Sequence, residues 1–198
     1  MKHGNQLGLD RCPHCSVAQP RIDRTWTIET KNHKGGSART WATYVCGTCG
    51  GVFLAVSPSK PEGSDIAHIW PSPQTVAEEL PARAKEYLSQ AVSSINAPVG
   101  AVITAASAVD AMLKSKGFKD GSLNSRIDAA AKAHLITDEM AAWAHEIRLE
   151  ANDQRHAEED APLPTQEDAV KVIEFAKALG QFLFVLPARV ERGRKGPQ

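Results

Sequence analysis

Four cysteines carry the clearest chemistry in this chain, in two pairs: Cys12-Pro13-His14-Cys15 and Cys46-Gly47-Thr48-Cys49. A CxxC turn presents two sulfurs from one tight loop, and two such turns supply the four soft ligands of a tetrahedral Zn²⁺. Gly47, Gly50 and Gly51 give the second turn the backbone freedom it needs. The opening segment, MKHGNQLGLD, lacks the apolar core of a secretory signal, so metal binding is expected rather than disulfides. A dithiol redox site would show a single CxxC beside a βαβ pattern, and there is none. The expectation is one structural Zn²⁺ on Cys12, Cys15, Cys46 and Cys49, with His14 a spacer and His33 a loop residue.

A second group of reactive side chains lies within residues 137–156, TDEMAAWAHEIRLEANDQRH. Helical spacing puts Met140, Trp143, Ala144, Ile147 and Ala151 on a core stripe. His145, Arg148, Asn152 and His156 then share a flank, within roughly 80° of one another. An ordinary solvated flank would carry Lys and Glu. Asp110 falls on the apolar face of an earlier helix, where a buried carboxylate needs a partner, and Arg148 is the expected one. Leu149 lies on the side opposite the stripe, which points to cover by a second copy in a two-fold homodimer.

These residues need elements to hold them. The thirty residues between the cysteine pairs read as a hairpin, with β-rich strands over 24–30 and 39–45 joined by the turn NHKGGS. A third strand is expected over 52–56, which together with the metal makes a zinc ribbon. Both hairpin strands begin RTW. Arg24, Trp26, Lys31, Lys34, Arg39 and Trp41 thus interleave cations with aromatics, as in surfaces that bind RNA or DNA single strands. The competing reading, that the two tryptophans cover a core too small to bury itself, is preferred. Residues 1–60 hold eight Lys/Arg against three Asp/Glu, a net +5, and the remainder of the chain carries −5. That asymmetry hints at an anionic partner for the N-terminal part.

Pro, Ser and Gly crowd residues 58–75, which read as a linker that Ile66, Ile69 and Trp70 would pin to the second domain. Beyond it, five helices are expected over about 78–94, 98–116, 123–134, 137–156 and 165–186, the last opened by a Thr165/Asp168 capping box and closed before Pro187. The fold class is α+β: a β zinc ribbon over 1–57, the linker, an all-α five-helix bundle over 76–190, and a basic disordered tail over 191–198. No apolar run approaches the length of a membrane span, so a cytoplasmic protein with no membrane partner is expected.

The runs VITAASAVDAML, LNSRIDAAAKAHLITDEM and HEIRLEANDQRH, the TQEDA helix start and LPARV resemble a HEPN-superfamily domain of unknown function. That type is found alone and inside restriction-endonuclease subunits, often after a short metal-binding segment. The likeness covers about residues 77–190. Its most specific part is Arg148…Asn152…His156, with Asp110 where the family has an acidic residue and Ala151 where it often has Gly. Many members of the wider superfamily are metal-independent ribonucleases in which an Arg and a His act across a dimer. Carried over, His156 would be the acid or base and Arg148 would stabilise the phosphorane. Seven residues separate the two here, about 12 Å between Cα atoms on a straight helix. They could meet only if the helix breaks near Asn152 or a partner chain intervenes. Two functions therefore stay open: a dimerising adaptor, which ranks first, and a ribonuclease acting as a toxin or phage-defence effector.

Overall fold

The computed structural model describes residues 1–58, 63–73 and 76–195. The chain forms two compact units, Met1–Gln74 and Thr75–Gln198.

The first unit is an antiparallel sheet of four strands in sequential order: β1 Ile22–Thr30, β2 Arg39–Cys46, β3 Val52–Ser57 and β4 His68–Trp70. Alternation along β2 buries Thr40, Ala42, Tyr44 and Cys46 and leaves the residues between them half-buried or exposed. Tyr44, Ala42, Ile22, Phe53 and Ala55 make the core, closed on its far side by Leu7 and Leu9 of the N-terminal segment. That segment runs beside β1, with the Leu7 N–H donating to the Ile22 carbonyl at 3.0 Å and the Arg24 N–H donating to the Asn5 carbonyl at 2.8 Å. The hairpin turn is built on Asn32, whose side-chain oxygen accepts from the N–H groups of Lys34 and Gly36, while Gly35 takes φ +76°.

Part of the expected linker is structural. Residues 68–70 pair with β3, and Ile66 and Ile69 pack on the core of the sheet. Residues 59–62 and 74–75 lie outside the described residues.

The second unit is helical: α1 Ala82–Ser93, α2 Pro98–Ser115, α3 Leu123–Lys132, α4 Asp138–His156, α5 Gln166–Gly180 and α6 Leu186–Lys195. The Pro81 ring disfavours helical angles at Leu80, so α1 starts later than the expected residue 78. The alanine-rich α2 is the hub and packs against α1, α3, α4 and α5. Eight of its residues are buried, four of them Ala, which lets neighbouring backbones come close. Both α4 and α5 are capped by a threonine, and the capping box of α5 is as expected. Thr137 accepts from the Met140 N–H, and Thr165 and Asp168 form a reciprocal capping box.

The last helix does not stop before Pro187. Residues Gln181–Val185 form a π-helical turn, and Gly180, Gln181 and Leu186 all keep right-handed helical angles, so α5, the π turn and α6 run on as one rod. A proline ring clashes with the carbonyl four residues earlier in a regular α-helix, and the wider turn just before Pro187 relieves that clash. The helix therefore continues through 191–195, where a disordered tail is expected from the sequence; residues 196–198 lie outside the described residues. Among the described residues no helix is long and apolar enough to cross a membrane.

Candidate metal centre and polar clusters

The two cysteine turns are built alike. After Cys12, the Ser16 N–H donates back to the Cys12 carbonyl at 2.8 Å, and the Cys12 N–H donates to Val17 at 3.1 Å. After Cys46, the Gly50 N–H donates to the Cys46 carbonyl and the Cys46 N–H donates to Gly51, both at 2.9 Å. The residue following each pair, Ser16 or Gly50, takes positive φ, +57° and +72°. Two equivalent turns thus face each other and bring all four sulfurs within 4.8 Å of one another. Cys12 Sγ and Cys49 Sγ are 3.9 Å apart. A tetrahedral centre with Zn–S bonds of about 2.3 Å sets its sulfurs about 3.8 Å apart, so the four can hold a metal ion without moving far.

The surroundings act differently on the individual thiols. The Gly51 N–H donates to Cys49 Sγ at 3.4 Å. Without a cation, burial pushes the Cys12 thiol up to about 12. At Cys46 burial is outweighed by the N–H groups of Cys49 and Thr48 and by the neighbouring thiols, which bring it down to about 7. A bound cation would supply the charge that holds all four deprotonated. His14 is more than a spacer. Its ring packs edge-on against Phe53 at 5.0 Å, and Nε2 lies 2.9 Å from the Val52 carbonyl. A Cβ at Gly51 would run into that ring, so glycine is required there.

On the opposite side of the sheet from the core lies an open aromatic face. In register, Trp26 pairs with Thr43, Ile28 with Trp41, and Thr30 with Arg39. Across β3, Leu54 aligns with Trp70 and Val56 with His68. Trp41 and Trp70 stack at 6.3 Å and 22°, and His68 lies 5.8 Å from Trp70. Trp26 is 54% exposed and Trp70 46%. The tryptophans therefore do not cover the small core, which Tyr44, Phe53 and Ile22 fill on the other face. Lys31 and Lys34 are exposed at the hairpin tip, and Arg39 is exposed at the start of β2. Arg24 is not part of this face: it aligns with the buried Tyr44, and its guanidinium donates to Asn5 at 2.8 Å. Sequence reasoning missed His68 and Trp70, because a three-residue strand between Ser- and Pro-rich stretches carries almost no periodicity.

In the helical unit the expected pairing of Asp110 with Arg148 does not form. Asp110 is held by Arg126 of α3, Nε to Oδ1 at 2.7 Å, and by Lys114 one turn along at 2.5 Å. The Arg126 guanidinium also donates to the carbonyls of Lys119, Asp120 and Gly121, which locks the loop leading into α3. His145 pairs with Asp128 at 3.0 Å. Trp143, expected inside, is 41% exposed and lies against Phe175 at 4.9 Å.

Arg148 and Asn152 instead line a recess shared with Arg155 and the start of α3. His156 is exposed and not among its walls. The helix α4 runs unbroken through Asn152, so within one chain Arg148 and His156 stay about 12 Å apart at Cα and do not converge on one phosphate.

A family model described as a domain of unknown function (DUF4145) matches residues 89–196. No curated protein and no solved structure matches the chain.

Proposed function

The chain belongs to the DUF4145 family, a domain of unknown function, and on that premise we propose that it is a binding and adaptor protein. In this reading the cysteine cluster holds one structural Zn²⁺ and makes the first unit a zinc ribbon whose open face takes single-stranded RNA or DNA. The observation that carries it is the alignment of Trp26, Trp41 and Trp70 on one exposed sheet face, bordered by Arg39, Lys31 and Lys34. Aromatic rings offer stacking platforms to unpaired bases, and the bordering cations meet the phosphates. The net positive charge of residues 1–60 supports an anionic partner, even after four thiolates on Zn²⁺ bring it to about +3.

The helical unit is read as a HEPN-like bundle that dimerises and so ties two ribbons together. Leu149 is 49% exposed on α4, and Phe182, Leu186 and Val190 form a second exposed apolar row along the last rod. The likeness to domains within restriction-endonuclease subunits suggests a place in restriction or phage defence, and the thiol ligands suit a reducing, cytoplasmic setting. The unbroken α4 gives the ribonuclease alternative no support within a single chain.

Two measurements test this reading. Titration of a fluorescent single-stranded oligonucleotide is expected to show saturable, salt-sensitive binding that weakens by about 1–3 kcal/mol in Trp70→Ala. No binding, or binding indifferent to Trp41→Ala and Trp70→Ala together, refutes the nucleic-acid face. Sedimentation is expected to give a dimer at micromolar concentration, and a monomer in Leu149→Glu. A wild-type monomer removes the adaptor geometry.

A further inference from the structure

We propose that the recess between the first turn of α3 and the C-terminal half of α4 is a binding site for a phosphoryl group. It encloses about 160 Å³. At a liquid share of about 30 Å³ per water, that is room for about five waters, or a phosphate with a small attached group. Its floor and walls include Arg148, Asn152 and Arg155, which follow one another at helical spacing on α4, with Ser122, Leu123 and Asn124 opposite. No carboxylate lines it.

Three features point the same way. First, Arg148 Nε is fully buried and has no hydrogen-bond partner among the described residues. A buried N–H without an acceptor costs free energy, although the Arg148 side chain as a whole is only half-buried. Asp110, the carboxylate expected to serve it, is engaged by Arg126 and Lys114. Second, two arginines line the recess, and a guanidinium's planar fork matches the oxygens of a phosphate. Third, Leu123 and Asn124 are the first two residues of a ten-residue helix, whose N–H groups have no intrahelical partner and sit at the positive end of its dipole. The Ser122 hydroxyl is engaged within the cap, accepting from the Ser125 N–H and lying 3.4 Å from the Ser125 hydroxyl.

The shared chemistry is a phosphoryl dianion, either free phosphate or the end of a small phosphomonoester. Among the described residues the recess is lined by arginine, asparagine, serine and apolar side chains, a set suited to binding. It lies wholly in the helical unit and stands independently of the aromatic sheet face.

The test is calorimetric titration of the full-length, metal-loaded protein with inorganic phosphate at constant ionic strength, sodium chloride being the balance. Saturable binding near about 1 mM is expected. Arg155 is exposed, so Arg155→Gln keeps the fold, and it should weaken binding at least tenfold. Arg148→Gln should do the same, while Arg189→Gln on the last helix should match wild type. A second arm uses glycerol phosphate. Tighter binding than free phosphate identifies a phosphomonoester as the ligand, and equal or weaker binding identifies phosphate itself. Absence of saturation at tens of millimolar phosphate, an identical response to chloride, or full binding by Arg155→Gln overturns the proposal.

Discussion

Replacing Cys46 by Ser is expected to unfold the sheet unit and abolish metal retention, while the helical unit melts as in wild type. The substitution leaves the backbone hydrogen bonds of the turn available and removes one sulfur, so it isolates the ligand bond. The core it supports is small. Ile22, Ala42, Tyr44, Phe53 and Ala55 are its fully buried sheet residues, and Cys12 and Cys46 are themselves part of it. A structural Zn²⁺ contributes about 10–16 kcal/mol in small zinc domains, comparable to or larger than the whole stability of a domain of this size. Elemental analysis should find one zinc per wild-type chain and almost none in the variant. Amide spectra should lose the dispersed β signals and keep the helical ones. A ribbon that stays folded in Cys46→Ser, or wild type well below one equivalent of zinc, removes the structural-metal reading.

The second large effect is expected at Arg126. Its side chain is 9% exposed and that of Asp110 is 21%, so removing the guanidinium strands a largely buried carboxylate and frees three loop carbonyls together. Breaking one side of such a pair costs about 3–5 kcal/mol, which for a domain of this size lowers the melting temperature on the order of 10 °C. Lys114 still reaches Asp110, which places Arg126→Ala toward the lower part of that range. Arg126→Lys should rescue little, since an ammonium cannot donate to Asp110 and to the carbonyls of residues 119–121 at once. Arg148→Ala should be nearly neutral by comparison, because it removes a buried donor that has no partner. The ordering is the informative part. If Arg148→Ala melts lower than Arg126→Ala, the pairing described above is wrong.

What the sequence determined by itself is local. The two CxxC turns, the Thr137 cap and the Thr165/Asp168 box follow from residues a few positions apart, because each is closed by contacts within one turn of chain. The hydrophobic period likewise placed the helices and set the unbroken α4 that keeps Arg148 from His156. Tertiary structure decided everything that depends on which face meets which. Alternation puts Trp26 and Trp41 on the same side of the hairpin, but only the packing of Leu7, Leu9 and the sheet core made that side the open one, and only the pairing of β4 brought Trp70 to it. Asp110 was expected to pair with Arg148, and Arg126 took its place. The approach of α3 to α2 selected Arg126 and left Arg148 facing a recess, an outcome set by helix packing that no spacing in the chain encodes.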